Sequence, residues 1–139
     1  MNPDRYRREA EFHDKVFSQQ SREKVSKFYS VTAASVSFYE RQIREHCAGA
    51  RVLEYGCGPY SQASRMTPLG AWVVGIDISP VAIAQYRRRG SEQVRARVRA
   101  AVMNAEKLGL AGGSFDLVCG TGILHHLELE SCFREISRV

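Results

Sequence analysis

The sequence predicts an α/β fold with a doubly wound parallel sheet, and two observations carry this prediction. Four short apolar runs follow residue 50, and each has about the length of a strand that is buried on both faces. Segments with helical spacing lie between these runs, so strand and helix alternate along the chain. Right-handed crossovers then place the helices on the two faces of the sheet. A chain of 139 residues suits one such core.

The part of the chain before the first run predicts two helices. Apolar or aromatic side chains recur there at three- to four-residue spacing: Tyr6, Ala10, His13, Val16 and Phe17 in the first helix, and Val36, Tyr39, Ile43 and Cys47 in the second. Gly49 is a typical stop for the second helix, and the break between the two falls within residues 18–30. We therefore predict an N-terminal helical lid segment over residues 1–49 and a sheet domain over residues 50–139.

The remaining elements follow in order. The predicted strands are RVLEY (51–55), WVVGID (72–77), VRAAVM (98–103) and FDLVC (115–119). The predicted helices cover residues 61–67, 80–89 and 127–139. The second of these begins with typical signals, because Ser79 can cap its N-terminus and Pro80 occupies its first position. Gly90 then follows its end.

Composition and charge narrow the class of protein. The chain is 44% apolar and 25% charged, as is ordinary for a soluble globular protein. No apolar run is long enough for a membrane span, and the polar N-terminus is no secretory signal, so we expect a cytoplasmic protein. The four cysteines form no C-x-x-C pair, so we expect free thiols and no metal site.

The net charge of +5 is concentrated in one segment. Residues 86–99 hold six arginines and one glutamate. The favoured interpretation is a solvated helix end and its loop, and the alternative is a patch that binds nucleic acid or another anionic partner. Tyr86 is the one aromatic residue in the segment, so bases would find no stacking platform, and a nucleic-acid partner is not predicted.

The unusual residues of the sequence all follow predicted strands. Ligands of open parallel sheets bind beyond the carboxyl ends of the strands, where the strand order reverses. There the sequence places Glu54, Tyr55, Gly56 and Gly58 after the first strand, Asp77 at the end of the second, Asn104, Ala105 and Glu106 after the third, and Gly120, Thr121 and Gly122 after the fourth. Small and acidic residues from four loops predict a nucleoside-sized pocket at this edge.

The spacing of these residues favours a ligand with a ribose. Asp77 lies 19 residues after Gly58, and an acid about 20 residues beyond a glycine loop binds ribose hydroxyls in dinucleotide-type folds. Gly56 and Gly58 alone would be equally consistent with an ordinary turn. A dinucleotide is disfavoured, because Ser61 stands in place of the third glycine. Glu54 indicates a cationic ligand group, such as a sulfonium that carries an amino acid tail.

These stretches resemble a known family. VLEYGCGPYSQ, VVGIDISPVAI, VMNAEKLGL and FDLVCGTGILHHL are similar, in order and spacing, to the successive motifs of class I S-adenosylmethionine-dependent methyltransferases. The small-molecule, type 11-like group of that family is the most similar, because its motif after the fourth strand ends in LHHL. The resemblance covers residues 51–139, and it implies a Rossmann-like sheet with the strand order 3-2-1-4.

The resemblance also implies roles. Glu54, Tyr55, Gly56 and Gly58 would line the methionine part of S-adenosylmethionine, Asp77 would hold the ribose, Ile78, Asn104 and Ala105 would contact the adenine, and Gly120 and Thr121 would lie near the sulfonium. His125 is the catalytic candidate, as a base for a small-molecule acceptor, and its alternative is to cap or pack the last helix. No residue is assigned to a metal.

The sequence departs from the family pattern in three places. Tyr60 replaces a common glycine, Asn104 replaces a common aspartate, and the chain ends at Val139, where family members continue into further strands. Three explanations compete: a C-terminally truncated chain, a short protein that covers the edge of its fourth strand by self-association, and a reduced but stable fold. We favour the first two. The alternative function is a non-catalytic cofactor-binding fragment or interaction module, and a nucleotide-sugar or nicotinamide enzyme is disfavoured.

Overall fold

The four predicted strands form one parallel sheet. The computed structural model describes residues 3–18, 33–88 and 91–139. Within these ranges the spatial order of the strands is β3-β2-β1-β4, and every neighbouring pair is parallel. The predicted Rossmann-like order 3-2-1-4 is therefore confirmed. Because β1 and β2 lie at the centre, their carboxyl ends meet in the middle of the sheet edge.

The strand bounds agree closely with the sequence prediction except at β4. The strands are β1 (Arg51–Tyr55), β2 (Trp72–Asp77), β3 (Val98–Val102) and β4 (Leu117–Gly120). β4 begins two residues later than predicted, because the Phe115 amide binds the Val139 carbonyl at 2.9 Å rather than β1. The side chain of Asp116 binds the start of β1. Its carboxylate accepts hydrogen bonds from the Arg51 backbone amide at 2.8 Å and from the Arg51 guanidinium at 2.8 and 3.0 Å. These bonds lower the pKa of Asp116 to about 2.

The helices surround this sheet. They are α1 (Pro3–Ser18), α2 (Ala33–His46), α3 (Ala63–Met66), α4 (Pro80–Arg88), α5 (Glu92–Ala96) and α6 (Leu129–Arg138), with short 3-10 turns at Thr67–Leu69 and Leu124–His126. The Ser79 hydroxyl accepts a hydrogen bond from the Ala82 amide at 3.0 Å, so the predicted cap of α4 is confirmed. The predicted break in the N-terminal region and Gly90 lie outside the described residues. α5 was not predicted from the sequence.

Apolar side chains fill both faces of the sheet, as a doubly wound fold requires. Successive residues of β1 alternate between the faces: Val52 packs in the cluster under α2 to α4, and Leu53 in the cluster under α6. All four cysteines are buried free thiols, as predicted. Within the described ranges, no helix combines the length and the apolar character that crossing a bilayer requires.

Several arginines of the basic segment bind the protein itself. Arg87 donates to the Ala100 carbonyl at 2.7 Å, and Arg97 donates to the Gly70 carbonyl at 3.0 Å. The Arg97 guanidinium also lies 4.9 Å from the centre of the Trp72 ring. These contacts support the structural interpretation of the segment.

We predict that Gly75→Ala destabilises the fold by about 1–3 kcal/mol, the usual cost of overfilling a packed core. Gly75 lies in β2, and an added Cβ would be 3.0 Å from Cys57 Sγ and 3.3 Å from Tyr86 Cζ. Both neighbours are buried and have little room to move. Urea unfolding measures the change in free energy.

Gly109→Ala is the matched control, because a Cβ at Gly109 has nothing within 4 Å and the chain gains the same methyl group. Equal free energies of unfolding for the two variants would contradict the packing described for β2.

Candidate functional site

An open pocket lies at the carboxyl edge of the sheet, where the sequence predicts a ligand site. It is open to solvent and is lined by the loops after all four strands and by α1. All of the predicted cofactor residues except Gly120 line it: Glu54, Tyr55, Gly56, Gly58, Asp77, Ile78, Asn104, Ala105 and Thr121. A Cβ at Gly120 would lie 2.8 Å from the Tyr55 carbonyl oxygen, so this glycine permits close packing of β4 on β1.

Glu54 is buried at the carboxyl end of β1, and the loop that follows explains its position. Its Oε1 accepts a hydrogen bond from the Gln62 amide at 2.8 Å, and its Oε2 accepts one from the Ser61 hydroxyl. Burial raises the pKa of Glu54, and these two hydrogen bonds oppose that effect. The carboxylate therefore ties the end of the glycine loop to the start of α3 while it faces the pocket.

The two glycines let the loop turn back over β1. Gly56 and Gly58 have φ values of 59° and 52°, which side chains other than glycine rarely adopt. Gly56 also has no space for a side chain, because a Cβ there would lie 2.9 Å from Ile123 Cδ1. The backbone of this loop thus forms one wall of the pocket.

Asp77 holds two backbone segments at the end of β2. Its carboxylate accepts a hydrogen bond from the Gly58 amide at 2.9 Å and another from the Ser79 amide at 2.9 Å. A carboxylate has about four acceptor sites, so two remain for a ligand diol. Asp77 therefore shapes the glycine loop and still presents acceptor capacity to the pocket.

Glu106 fastens α1 over the pocket. Its buried carboxylate accepts hydrogen bonds from the Arg5 guanidinium, from the Tyr6 hydroxyl and, at 2.8 Å, from the Glu128 amide. Burial alone would raise the pKa of Glu106, but these bonds together outweigh it and lower the pKa. Asn104 supports the turn, because its side-chain oxygen accepts from the Glu106 amide at 2.8 Å.

α1 contributes a face of the pocket. The sequence predicted a lid segment here but assigned none of its residues to the site. Its lining residues are Arg5, Tyr6, Glu9, His13 and Phe17. Their spacing of three to four residues is the signal that could have identified them, since three of them belong to the predicted helical face. The sequence alone does not show which surface that face covers, because the contacts join residues about 100 positions apart.

The two histidines after β4 occupy different environments. His126 lines the pocket, whereas His125 is exposed and does not line it. The His125 ring packs on His126 with 3.9 Å between ring centres. Burial lowers the pKa of His126, and the neighbouring His125 and His13 act in the same direction. The catalytic role of His125 stays a prediction.

The chain matches a known protein family. The family described as "Methyltransferase domain" matches residues 53–139, which is more than half of the chain. Those residues contain the end of β1, the whole of β2 to β4 and every loop of the sheet edge described above.

Two curated relatives each match more than half of the chain. Aklanonic acid methyltransferase DauC from Streptomyces sp. (strain C5) is 37% identical over 83 residues, which cover 57% of this chain and 37% of DauC. The ubiquinone biosynthesis O-methyltransferase of Xanthomonas oryzae pv. oryzae (strain PXO99A) is 38% identical over 81 residues, which cover 58% of this chain and 34% of that enzyme. The match thus spans about a third of the length of these relatives.

A solved structure extends the likeness of fold to nearly the whole chain. Magnesium protoporphyrin IX methyltransferase (ChlM) from Synechocystis PCC 6803, crystallised with bound SAM, superposes with a TM-score of 0.72. The superposition covers 98% of this chain and 71% of that one at 20% identity, so it supports the fold alone.

We predict that Glu106→Gln loosens α1 and leaves the sheet intact. The substitution removes the charge that pairs with Arg5, so the α1 amides should exchange with solvent roughly 5- to 30-fold faster, as expected for a loss of about 1–2 kcal/mol. Because the pKa of Glu106 is lowered from 4.5, its stabilisation is complete above that pH. It is lost as the pH falls through the lowered pKa, and the two proteins then converge. Hydrogen exchange with mass spectrometry measures both effects.

Glu130→Gln is the control, since Glu130 pairs with Arg134 on the exposed surface of α6. Unchanged exchange of α1 in Glu106→Gln would contradict the anchoring role of Glu106.

Proposed function

We propose that this chain, which belongs to the methyltransferase domain family, binds S-adenosylmethionine in the pocket at the carboxyl edge of the sheet. It transfers a methyl group from the cofactor to a small-molecule acceptor. The observation that carries this proposal is the meeting of Glu54, Asp77 and Asn104 with a bare glycine loop in one pocket.

The residues of the pocket fit the cofactor in chemistry. The ribose diol needs a carboxylate, which Asp77 provides at the end of β2. The adenine edge needs hydrogen-bonding groups, which Asn104 provides after β3, and the amino acid tail needs an acid, which Glu54 provides at the end of β1. Each oxygen of Asp77 and of Glu54 accepts one hydrogen bond from the protein and keeps capacity for another. A side chain at Gly56 would collide with Ile123. The glycine loop therefore presents bare backbone to the ligand.

Each predicted residue then has a proposed task. Asp77 holds the ribose hydroxyls, and Ile78 packs on the adenine, whose edge meets Asn104 and the Ala105 backbone. Glu54 favours the ammonium end of the methionine part, which Tyr55, Gly56 and Gly58 line by close approach. Thr121 lies on the sulfonium side, where Gly120 sets the position of the strand end.

The acceptor enters on the side of α1, which we propose to act as the lid of the pocket. When bound, S-adenosylmethionine supplies a methyl group on a positively charged sulfur, which becomes a neutral thioether as the acceptor lone pair takes the methyl carbon. The protein aligns acceptor and methyl group and excludes water. Arg5 and Tyr6, fixed by Glu106, close the pocket over both ligands.

The names of the relatives suggest the class of acceptor. The two relatives are an aklanonic acid methyltransferase and an O-methyltransferase of ubiquinone biosynthesis. We therefore propose a small organic acceptor with an oxygen near the methylated atom. His125 stays the proposed base, and its ring packs on His126. Cytoplasmic residence and the lack of a nucleic-acid partner stay predictions.

We predict that the wild-type chain binds S-adenosylmethionine and S-adenosylhomocysteine in calorimetry, and that Asp77→Ala weakens both by about 1–3 kcal/mol, the cost of losing hydrogen bonds to a charged group. Asp116→Ala is the matched control, because Asp116 binds Arg51 at the opposite edge of the sheet. Circular dichroism confirms that both variants are folded.

A folded wild-type protein that gives no heat with either ligand would refute cofactor binding. Equal affinity in Asp77→Ala would remove the ribose assignment. Formation of S-adenosylhomocysteine with a panel of small phenols and carboxylic acids separates an enzyme from a binding module.

We further propose that the β4 edge pairs with a second copy of the chain. β4 contacts β1 on one side and has no strand neighbour on the other among the described residues. Such an edge presents unpaired backbone groups that another strand can bind. Light scattering coupled to size exclusion should show a mass that rises with concentration. A monomer mass at every concentration would contradict this proposal.

A further inference from the structure

Three side chains with metal-binding atoms converge at the mouth of the pocket. They are Glu9 and His13 of α1 and His126 after β4, and one ligand atom of each lies within 4.8 Å of the other two. Glu9 Oε2 lies 3.6 Å from His13 Nε2 and 3.5 Å from His126 Nδ1. Both distances exceed ordinary hydrogen-bond lengths. The three side chains thus face one another without forming good hydrogen bonds.

We propose that Glu9, His13 and His126 together bind one divalent transition-metal ion, with Zn²⁺ preferred, on the acceptor side of the pocket. Two imidazoles and one carboxylate form a common zinc set. Bonds of about 2 Å in tetrahedral geometry place ligand atoms roughly 3.3 Å apart. The two distances to Glu9 are close to that value, so small side-chain movements complete the site.

The fold positions the three ligand residues close to one another. Glu9 and His13 stand four residues apart, and therefore on one face of α1. His126 is joined to the same helix, because the Arg5 guanidinium donates to its carbonyl oxygen at 3.0 Å. The His13 and His126 rings lie 4.9 Å apart between centres in an edge-to-face arrangement. The contact that fixes α1 over the pocket thus also brings the ligands together.

The charge of the site suits a cation. Arg5 is the nearby positive group, and it pairs with the buried Glu106 carboxylate rather than with Glu9. The Glu9 carboxylate faces the two histidines instead. The sequence predicted no metal site because no carboxylate or thiol stands at ligand spacing to His126 along the chain. Helix α1 supplies the partners through the fold.

Three protein ligands leave coordination positions open toward the pocket, as in catalytic zinc sites. A role for the metal in catalysis rests on the proposed methyl transfer, whereas metal binding itself does not. The open position selects an acceptor with an oxygen donor, such as a phenol, whose proton leaves to solvent on coordination. An oxygen lone pair then forms the bond to the methyl carbon. The bond from carbon to sulfur breaks, and its electrons stay on sulfur.

Metal binding is tested with the whole chain, Zn²⁺ and a competing chromophoric chelator, and then with Co²⁺ as a spectroscopic substitute. We expect stoichiometric binding that Glu9→Gln, His13→Asn and His126→Asn each weaken by at least on the order of 100-fold, more than the loss of an outer-shell partner costs. Glu11→Gln on the exposed side of α1 and His46→Asn on α2 are the matched controls and should bind as the wild type does. Acetohydroxamate, a bidentate oxygen ligand, should change the Co²⁺ absorption spectrum.

Four results would overturn the proposal: no Zn²⁺ binding, equal losses in the controls, an intense sulfur-to-cobalt band that indicates a thiolate site, or no effect of the three ligand substitutions. A Co²⁺ spectrum that acetohydroxamate leaves unchanged would overturn the open position. S-adenosylhomocysteine calorimetry in the presence of a chelator keeps the two proposals apart. Cofactor binding without zinc binding refutes the metal site alone, and zinc binding without cofactor binding refutes the proposed function alone.

Discussion

The carboxylate of Asp77 is the interaction on which the rest of the site depends. It joins the Gly58 amide, in the loop after β1, to the Ser79 amide, at the start of α4. β1 and β2 are the two central strands, so this single side chain fixes the relative positions of the two loops that form the middle of the pocket. A ligand that meets those loops finds their backbone already ordered, which lowers the entropic cost of binding.

Glu54 shows how the fold keeps a carboxylate buried at the end of its central strand. Removing a charge from water is costly, and the Ser61 and Gln62 donors offset only part of that cost. The result is a group whose pKa is raised and which responds strongly to a cation brought close to it. The same hydrogen bonds connect β1 to α3, so the carboxylate serves the architecture as well as the pocket.

The sequence predicted features that neighbouring residues determine, and it did not predict features that depend on contacts between residues far apart along the chain. Strand positions, their order and the loops of Gly56 and Asp77 follow from apolar runs, glycine spacing and the family resemblance. The start of β4 was placed two residues too early, because the Phe115 amide binds the Val139 carbonyl rather than β1, a contact that the apolar run does not reveal. The N-terminal segment was predicted as a lid, but the residues that dock α1 were not predicted, because Arg5 and Tyr6 meet Glu106 through contacts that leave no local pattern. His126 was passed over in favour of its neighbour because two adjacent histidines are equivalent until the 3-10 turn orients them.

A crystal structure of the chain with S-adenosylhomocysteine would show where the cofactor binds. We expect the ribose hydroxyls within hydrogen-bond distance of the Asp77 carboxylate, and the adenine against Ile78 with its edge toward Asn104. We also expect the amino acid tail beside the loop of Gly56 and Gly58. A ligand bound with its ribose away from Asp77, or bound outside the carboxyl edge of the sheet, would contradict the proposed site.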